Sequence, residues 1–407
     1  MSRLEELIQQ YCPDGVENKK LEECCQILDN KRKPITKGAR VAGQYPYYGA
    51  NGIQDYVADY IFDGKYVLVG EDGSVITSNG TPVVNWAEGK IWVNNHAHII
   101  SEKDGVLLRY LFHYLQTINI SPLIHGNIPK LTGGDFRALT IPVPPLPVQE
   151  EIVRILDILA ELQAELQAEL QAELQKRLQQ YEYYRDKLLS FRDLSNWGGQ
   201  EVSVEWKKLG ELGVFYGGLS GKTKDDFSNG NAKFISYKNV FYNLSLNVDT
   251  DERVKIVEGE KQNTIQYGDI LFTGSSETPD ECGMSSVLTQ KTDEKLYLNS
   301  FCFGYRLHNP SLFCLDFLKH LFRSSELRKQ IGKTASGTTR FNVSKKRFAE
   351  VSIPVPPLSV QKQIADILDK FYTLIADLTA GLPAEIEARR KQYEYYRDQL
   401  FTFKQKA

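Results

Sequence analysis

The chain has no excess of basic charge. Its 49 Lys and Arg face 52 Asp and Glu, a formal net charge of −3, which gives no global sign of a nucleic-acid partner. It has no apolar run near the roughly 18 residues of a membrane span, and its first ten residues are polar and charged. Neither a signal peptide nor membrane attachment is expected, and the expected location is cytoplasmic. Its six cysteines (Cys12, Cys24, Cys25, Cys282, Cys302, Cys314) show no C-x-x-C spacing. They read as reduced, mostly buried residues of a cytosolic protein, not as a zinc site. Catalytic constellations are missing too. Gly217 to Thr223, GGLSGKT, ends like a phosphate loop, but the motif needs Gly where Tyr216 stands. His96 and His98, two apart on an expected strand, should face one side. His113 and His125 lie elsewhere, and no carboxylate motif completes a metal set. Glu71 and Asp72 are adjacent in an expected loop, which points them apart and argues against a paired acid–base role. There is no G-x-S-x-G and no Asn/Asp-Pro-Pro-aromatic run. An enzyme acting alone is disfavoured, and no metal or cofactor is expected on this chain.

What the chain does have is a long helical stretch at residues 147–191. It is built from good helix formers, with no Gly or Pro between Val148 and Leu194. Leu162, Leu166, Leu170, Leu174 and Leu178 form one apolar stripe that calls for a partner helix. The partner lies 212 residues further on. IPVPPLPVQEEIVRILDIL from Ile141 matches IPVPPLSVQKQIADILDKF from Ile353, and QYEYYRDKLLSF from Gln180 matches QYEYYRDQLFTF from Gln392. The stripe is retained as Leu374, Leu378, Leu382 and Ile386. This is an internal duplication.

The duplication extends into the preceding sequence. VENKKL from Val16 matches VEWKKL from Val204 at offset 188, which sets Asn51 opposite Asn239. GKYVLVG from Gly64 matches GDILFTG from Gly268 at 204, WVN matches YLN at 205, and LRYLF from Leu108 matches LKHLF from Leu318 at 210. A rising ladder of offsets is what loop insertions in a duplicated domain produce. Short Val-, Ile-, Tyr- and Phe-rich runs such as YVLVG, WVNNHAHII, DILFT and LYLNSFCFGYRL read as strands, with turns at Asn51-Gly52, Asn79-Gly80 and Asn229-Gly230. Helices are expected near 1–15, 107–117 and 312–331. The fold class is therefore α+β: two duplicated mixed domains separated by a pair of long antiparallel helices, a coiled coil with pseudo-twofold symmetry. The expected divisions are 1–146, 147–194, 195–357 and 358–407. The IPVPP runs should be extended and stiff, with Pro147 near a helix start. About 45 residues per helix predict a rod of roughly 65 Å at most, with a domain at each end and the C-terminus returned to the first domain. Pro383 should kink or interrupt the second helix.

Charge is unevenly spread. Residues 150–176 hold seven acids and two bases, whereas residues 319–347 hold nine Lys or Arg and one acid, Glu326. Lys31, Arg32, Lys33, Lys37 and Arg40 lead into Tyr45, Tyr47 and Tyr48. Lys222, Lys224, Lys233 and Lys238, beside Tyr237, occupy the corresponding region of the second half. Thr339, Arg340, Asn342, Lys345, Lys346 and Arg347 cluster late in it. Lys and Arg hold phosphates, and Arg and Asn also read base edges. Where the halves align but polar residues differ, the scaffold is shared and the readout need not be. Tyr47 and Tyr48 oppose Ile235 and Ser236, Glu71 and Asp72 oppose Ser275 and Ser276, Asn127 opposes Thr339, and Lys130 opposes Asn342. The alternative is a structural protein with two lectin-like or peptide-binding heads on a coiled-coil spacer.

The whole chain resembles the specificity subunits of type I restriction–modification enzymes. The resemblance is carried by IPVPPLPVQEEIVRILD and IPVPPLSVQKQIADILD, each heading a long helix, by TTRFNVSKKRFAEVSIPVPP, by YPYYGANGI, and by the QAEL repeat between Leu162 and Leu174. It implies two target-recognition domains, each reading half of a split double-stranded DNA site and held apart by paired helices. It implies two modification subunits on those helices and motor-nuclease restriction subunits joining them. S-adenosylmethionine, ATP and Mg would sit on those partners. The sequence departs from symmetry in two places: the QAEL repeat occurs only in the first helix, and the Gly381–Pro383 break only in the second.

Overall fold

A computed structural model describes residues 2–124, 127–191, 196–197, 200–201 and 203–406; the expectations for His125 and for a helix reaching residue 194 fall on or extend into residues outside these. The chain divides into two units, Met1–Glu169 with Pro383–Ala407 and Leu170–Leu382. Each helix half thus groups with a globular part.

In the first unit a six-stranded sheet has the order β2-β7-β5-β6-β3-β4. Its strands are β2 (Gln26–Ile27), β3 (Ala42–Gly49), β4 (Gly52–Val57), β5 (Phe62–Gly70), β6 (Val84–Val93) and β7 (Ala97–Ser101). Val67, Leu68 and Val69 of β5 and Ile99 and Ile100 of β7 are all fully buried. Both faces of the sheet centre are therefore covered, and the sequence there runs apolar without alternation. One face packs under helix α3 (Leu108–Leu115) and the other carries Leu68, Ile91, Val93 and Ile99. Helix α1 (Arg3–Tyr11) begins with a capping box between Ser2 and Glu5. Helices α2 (Leu21–Cys24) and α4 (Gly133–Ala138) flank a ladder of β1 (Asn18–Lys20) with β8 (Thr140–Pro142). The C-terminal segment closes on the same place, where Val16 N–H donates to the Lys404 carbonyl at 2.8 Å.

The second unit repeats these parts in smaller sheets. Gly213–Gly217, Cys302–Leu307, Ile270–Thr273 and Ser285–Val287 form one sheet. Arg253–Val254, Ala232–Ile235, Leu296–Leu298 and Thr264–Ile265 form another. Three short strands, Ser275–Ser276, Phe341–Val343 and Ala335–Ser336, make a third. Its helices are α6 (Leu209–Leu212), α7 (Tyr237–Tyr242), α8 (Leu315–Leu321), α9 (Ser325–Gly332) and α10 (Lys345–Phe348).

Two long helices, α5 (Leu146–Leu189) and α11 (Leu358–Leu400), complete the chain. In the first unit the start of α5 packs with the end of α11: Ile152 and Leu156 share a core with Tyr393, Leu400 and Phe401. In the second unit Tyr181 of α5 lies 6.0 Å from Tyr372 of α11, and Tyr184 stacks on Phe371 at 5.1 Å. The pairing is antiparallel, as expected. Pro383 does not interrupt α11. One lost backbone hydrogen bond is outweighed by the strong helix formers on either side and by the i,i+3 and i,i+4 ion pairs of Arg389 and Arg390. The apolar stripe also needs correction at one position. Leu162 and its counterpart Leu374 are 56% and 52% exposed, and Ile375 is the buried residue of that turn.

The IPVPP runs are extended and paired, β8 to β1 and Ser352–Val355 to Glu205–Lys208. Behind each sits a fully buried glutamine. Gln149 accepts from Leu107 N–H and donates to the Gly105 and Pro144 carbonyls at 2.7–3.0 Å. Gln361 does the same with Cys314 N–H and the Leu312 and Pro356 carbonyls at 2.8–2.9 Å. Nearby, His113 Nε2 meets Asp157 at 2.8 Å, and Tyr393 lies 3.5 Å from its Nδ1. His320 repeats the arrangement with Asp369 at 2.7 Å and Tyr181 at 2.8 Å. Burial holds both imidazoles below the usual histidine pKa, only partly opposed by the carboxylates. Burial pushes Asp369 up, but His320 and Lys319 pull harder and leave it below the usual carboxylate range.

These anchors fix the true register of the duplication and correct the sequence alignment. His113 and His320, and Leu107 and Cys314, set α3 against α8 at offset 207, not 210. Gly70 pairs with Ala97 as Thr273 pairs with Cys302, so β5 matches Ile270–Thr273 at 203, not 204. Asn94 N–H donates to the Tyr48 carbonyl as Asn299 N–H donates to that of Ile235, so the offset there is 187. Tyr47 and Tyr48 therefore oppose Phe234 and Ile235, Asp72 opposes Ser275, and Asn51 opposes Lys238. Asn239 instead holds its own loop through Asn247.

Candidate nucleic-acid interface

In the second unit a concavity of about 620 Å³ lies between α7, the Ser275–Ser276 strand and the hairpin ending at Phe341. Helix α7 supplies an aromatic wall. It starts at Ser236, whose hydroxyl accepts from Asn239 N–H. It ends where the Arg323 guanidinium takes the carbonyls of Val240 and Phe241 at 3.2 and 2.8 Å. Burial pushes Arg323 down to about 10, so it stays charged at neutral pH. Tyr237 and Phe241 stack at 5.8 Å, the Tyr237 hydroxyl donates to the Ser275 carbonyl at 2.8 Å, and Tyr242 stands 71% exposed at the rim.

Opposite that wall, Arg340 comes from the turn between Ala335–Ser336 and Phe341–Val343. Its Nε and Nη2 donate to Ser275 Oγ at 3.1 and 2.9 Å, and its guanidinium lies 5.0 Å above the Phe301 ring. Gly337 makes the turn possible: it has a positive φ of 156°, and a Cβ there would collide with the Arg340 carbonyl oxygen.

The first unit has a concavity of about 520 Å³ at the equivalent place. The backbone equivalence is direct. Leu131 N–H donates to the Glu71 carbonyl as Val343 N–H donates to that of Gly274, and Asp72 bridges Lys130 as Ser275 pairs with Asn342. His96 N–H donates to Asn94 Oδ1 as Phe301 N–H donates to Asn299 Oδ1, at 2.8 and 2.9 Å. The chemistry is unlike. Asn51, at the tip of the expected turn, replaces Lys238, and Gln54 replaces Phe241. His96, paired with Asp72, replaces Phe301, and Ile128, 69% exposed, replaces Arg340.

The structure thus brings together Asn51 and Lys130 in one unit, and Tyr237, Lys238, Ser275, Ser276, Thr339 and Arg340 in the other. Asn127, Asn342, Lys345 and Lys346 are exposed beside these sites but do not line them. Lys31, Lys33, Lys37 and Lys224 are exposed elsewhere on their units.

Several expected DNA contacts are structural instead. Arg32 is 12% exposed and is held by Glu71 at 2.6 Å and the Ala97 carbonyl at 2.7 Å. Lys222, 8% exposed, is held by Glu260 at 2.6 Å. Its ammonium and the Val257 amide pull the Glu260 carboxyl down to about 2. Tyr47 is buried with its hydroxyl on Ile35, and Tyr48 is also buried. In the late basic cluster Lys319 binds Asp316 and Asp369, and Arg323 and Arg328 hold backbone carbonyls. Each of these cations is engaged by carboxylates or carbonyls of its own unit, so the cluster's net +8 overstates the charge open to a ligand.

The histidine expectations also change. His96 lies in a turn and His98 is fully buried on β7, so they do not share a side. His98 meets Asp29 at 2.7 Å, and Asp29, Glu71 and His98 lie close enough to share an ion, so a potential donor set does exist. Arg32 ion-pairs with both carboxylates and occupies that set as a charge network. The aromatic residues Phe241, Tyr242 and Phe301 escaped the sequence reading; the crowding of rings in YKNVFY was the signal available.

The sequence profile of the type I restriction modification DNA specificity domain matches residues 13–176 and again 201–388. The chain belongs to the type I restriction–modification specificity-subunit family. A Haemophilus influenzae protein named as a type I restriction enzyme specificity subunit is 36% identical over 393 residues, 95% of this chain and 96% of its own. The EcoR124I/EcoR124II specificity subunit of Escherichia coli is 35% identical over 74% of this chain and 72% of its own. Two solved structures share the fold. One, from a study of assembly and conformational transition in a type I system, has a TM-score of 0.64 at 17% identity, covering 96% of this chain and 98% of its own. The other, an HsdS subunit from Thermoanaerobacter tengcongensis, has a TM-score of 0.52 at 16% identity, covering 96% and 97%. Family membership gives this chain the DNA-specificity role and makes it the non-catalytic recognition subunit; heads for carbohydrate or peptide are not favoured. Among the described residues no helix is long and apolar enough to cross a membrane.

Proposed function

We propose that each unit reads one half of a bipartite double-stranded DNA site. The paired helices set the spacing of the two halves and dock two modification subunits, which restriction subunits join. On this reading S-adenosylmethionine, ATP and Mg belong to the partners, and the assembly works in the cytoplasm. One observation carries the reading. Two equivalent concavities, framed by the same backbone hydrogen bonds, differ in side chain at each of the lining positions compared above. Shared frames with unlike linings suit two readers of unlike words.

DNA half-sites on one face repeat about every 34 Å, and each QAEL unit adds about 6 Å of helix. Deleting Gln163 to Leu166 should shorten the accepted spacer and leave both half-sites intact. Methylome sequencing of a strain carrying the deletion tests this, and an altered half-site with the old spacer rules the ruler out. DNA affinity that does not fall with added salt counts against duplex binding itself.

A further inference from the structure

The second unit's concavity carries a more specific assignment, which rests on the reading that this unit binds DNA. We propose that Arg340 reads a guanine in the half-site of the second unit, and that Ile128 leaves the first unit without that readout.

Arg340 is held along one edge of its guanidinium. A guanidinium has five N–H donors in a planar fork. Ser275 Oγ accepts from Nε and Nη2, on one side edge of that plane. The end of the fork, Nη1 with the second Nη2 proton, is left for a ligand. Two parallel donors at that end match the O6 and N7 acceptors of guanine, and no other base offers two acceptors there. The Phe301 ring lies beneath the guanidinium, its centroid 5.0 Å from the guanidinium carbon, and adds a cation–π contact on one side. Ser275 is itself fixed, since it is 95% buried and its strand is paired with Phe341–Val343. Arg340 is therefore preorganised at an exposed hairpin turn, where a groove edge can reach it, and is not a freely moving surface charge.

The first unit offers the control. Its backbone bridge is the same, but Asp72 stands for Ser275, His96 for Phe301 and Ile128 for Arg340. The guanidinium is absent there, and so are the serine and the phenyl ring that hold it. An exposed Ile suits an apolar contact such as a thymine methyl group.

The test uses the full chain assembled with its modification subunits. Duplexes are selected from a randomised pool with wild type, Arg340→Ala and Arg340→Lys, and the methylated motif is read in cells. The wild-type motif should contain a G·C pair in one half-site. In Arg340→Ala the preference for that pair should fall about 10- to 100-fold, while the other half-site and the spacer stay unchanged. Arg340→Lys keeps the charge and donors but not the planar fork that Ser275 and Phe301 hold, and should retain only part of the preference while binding pooled DNA more strongly than the Ala variant. An unchanged motif in Arg340→Ala, a lost position that is not G·C, or full G·C preference in Arg340→Lys overturns the assignment. A wild-type complex with no bipartite motif at all overturns the broader reading instead, and so separates the two failures.

Discussion

The two units share a frame and differ in what the frame presents. Gln149 and Gln361 hold the IPVPP runs with the same three hydrogen bonds, and His113 and His320 sit between equivalent Asp and Tyr partners. The concavities of the two units have little in common. One carries amides, an imidazole and a carboxylate; the other carries three rings from α7, Phe301 and a held guanidinium. Residues that satisfy buried backbone groups are expensive to change, because an unpaired buried donor or acceptor loses its water without replacement. Residues lining an open concavity carry no such cost. Divergence after duplication is therefore channelled to the lining.

That contrast can be broken in graded steps. Arg323→Ala should have the largest effect, about 3 kcal/mol, because it strips the carbonyls at the end of α7 of their buried donor. Hydrogen exchange should speed up around α7 and leave the first unit unchanged; equal loosening of both units would deny that the aromatic wall belongs to one alone. Gln149→Leu and Gln361→Leu should each cost about 2 kcal/mol in urea denaturation, and clearly unequal costs would undo the claim of a common frame. Ile375→Ala should also cost about 2 kcal/mol, whereas Leu374→Ala, at a half-exposed position, should cost less than about 0.5 kcal/mol.

Acid supplies the gentlest probe. Burial lowers the folded-state pKa of His113 and His320, so below about 6.5 the unfolded chain binds protons that the folded chain refuses. The histidine contribution to stability should fall as pH drops through that value and level off once the folded-state pKa values are passed, before carboxylates held low, such as Asp369, lose theirs. His320→Asn should flatten this slope, and a melting temperature with the same pH dependence in wild type and variant would remove the histidine from the account.

Much of this was legible beforehand. The duplication, the α+β class, the extended proline runs and the antiparallel long helices follow from repeats, composition and connectivity. Register within the repeats did not. In YVLVG every central residue is buried on a sheet covered on both faces, so a slip of one residue still sets apolar on apolar. In LRYLF a slip of three residues returns nearly to the same helix face, so Leu lines up with Leu either way. Charge was equally ambiguous. A cation bound by internal carboxylates or carbonyls and a cation waiting for phosphate read alike in one dimension, and Arg32, Lys222 and Arg323 are of the first kind.

The sequence by itself determined that one ancestral plan is used twice, since repeats, stripes and proline runs are local or periodic and survive being read along a line. Only the tertiary structure decided which residues face each other in the two copies and which cations remain open. Those depend on hydrogen bonds between segments tens of residues apart, such as Arg340 to Ser275 and His113 to Asp157, and no local pattern encodes the partner of such a bond.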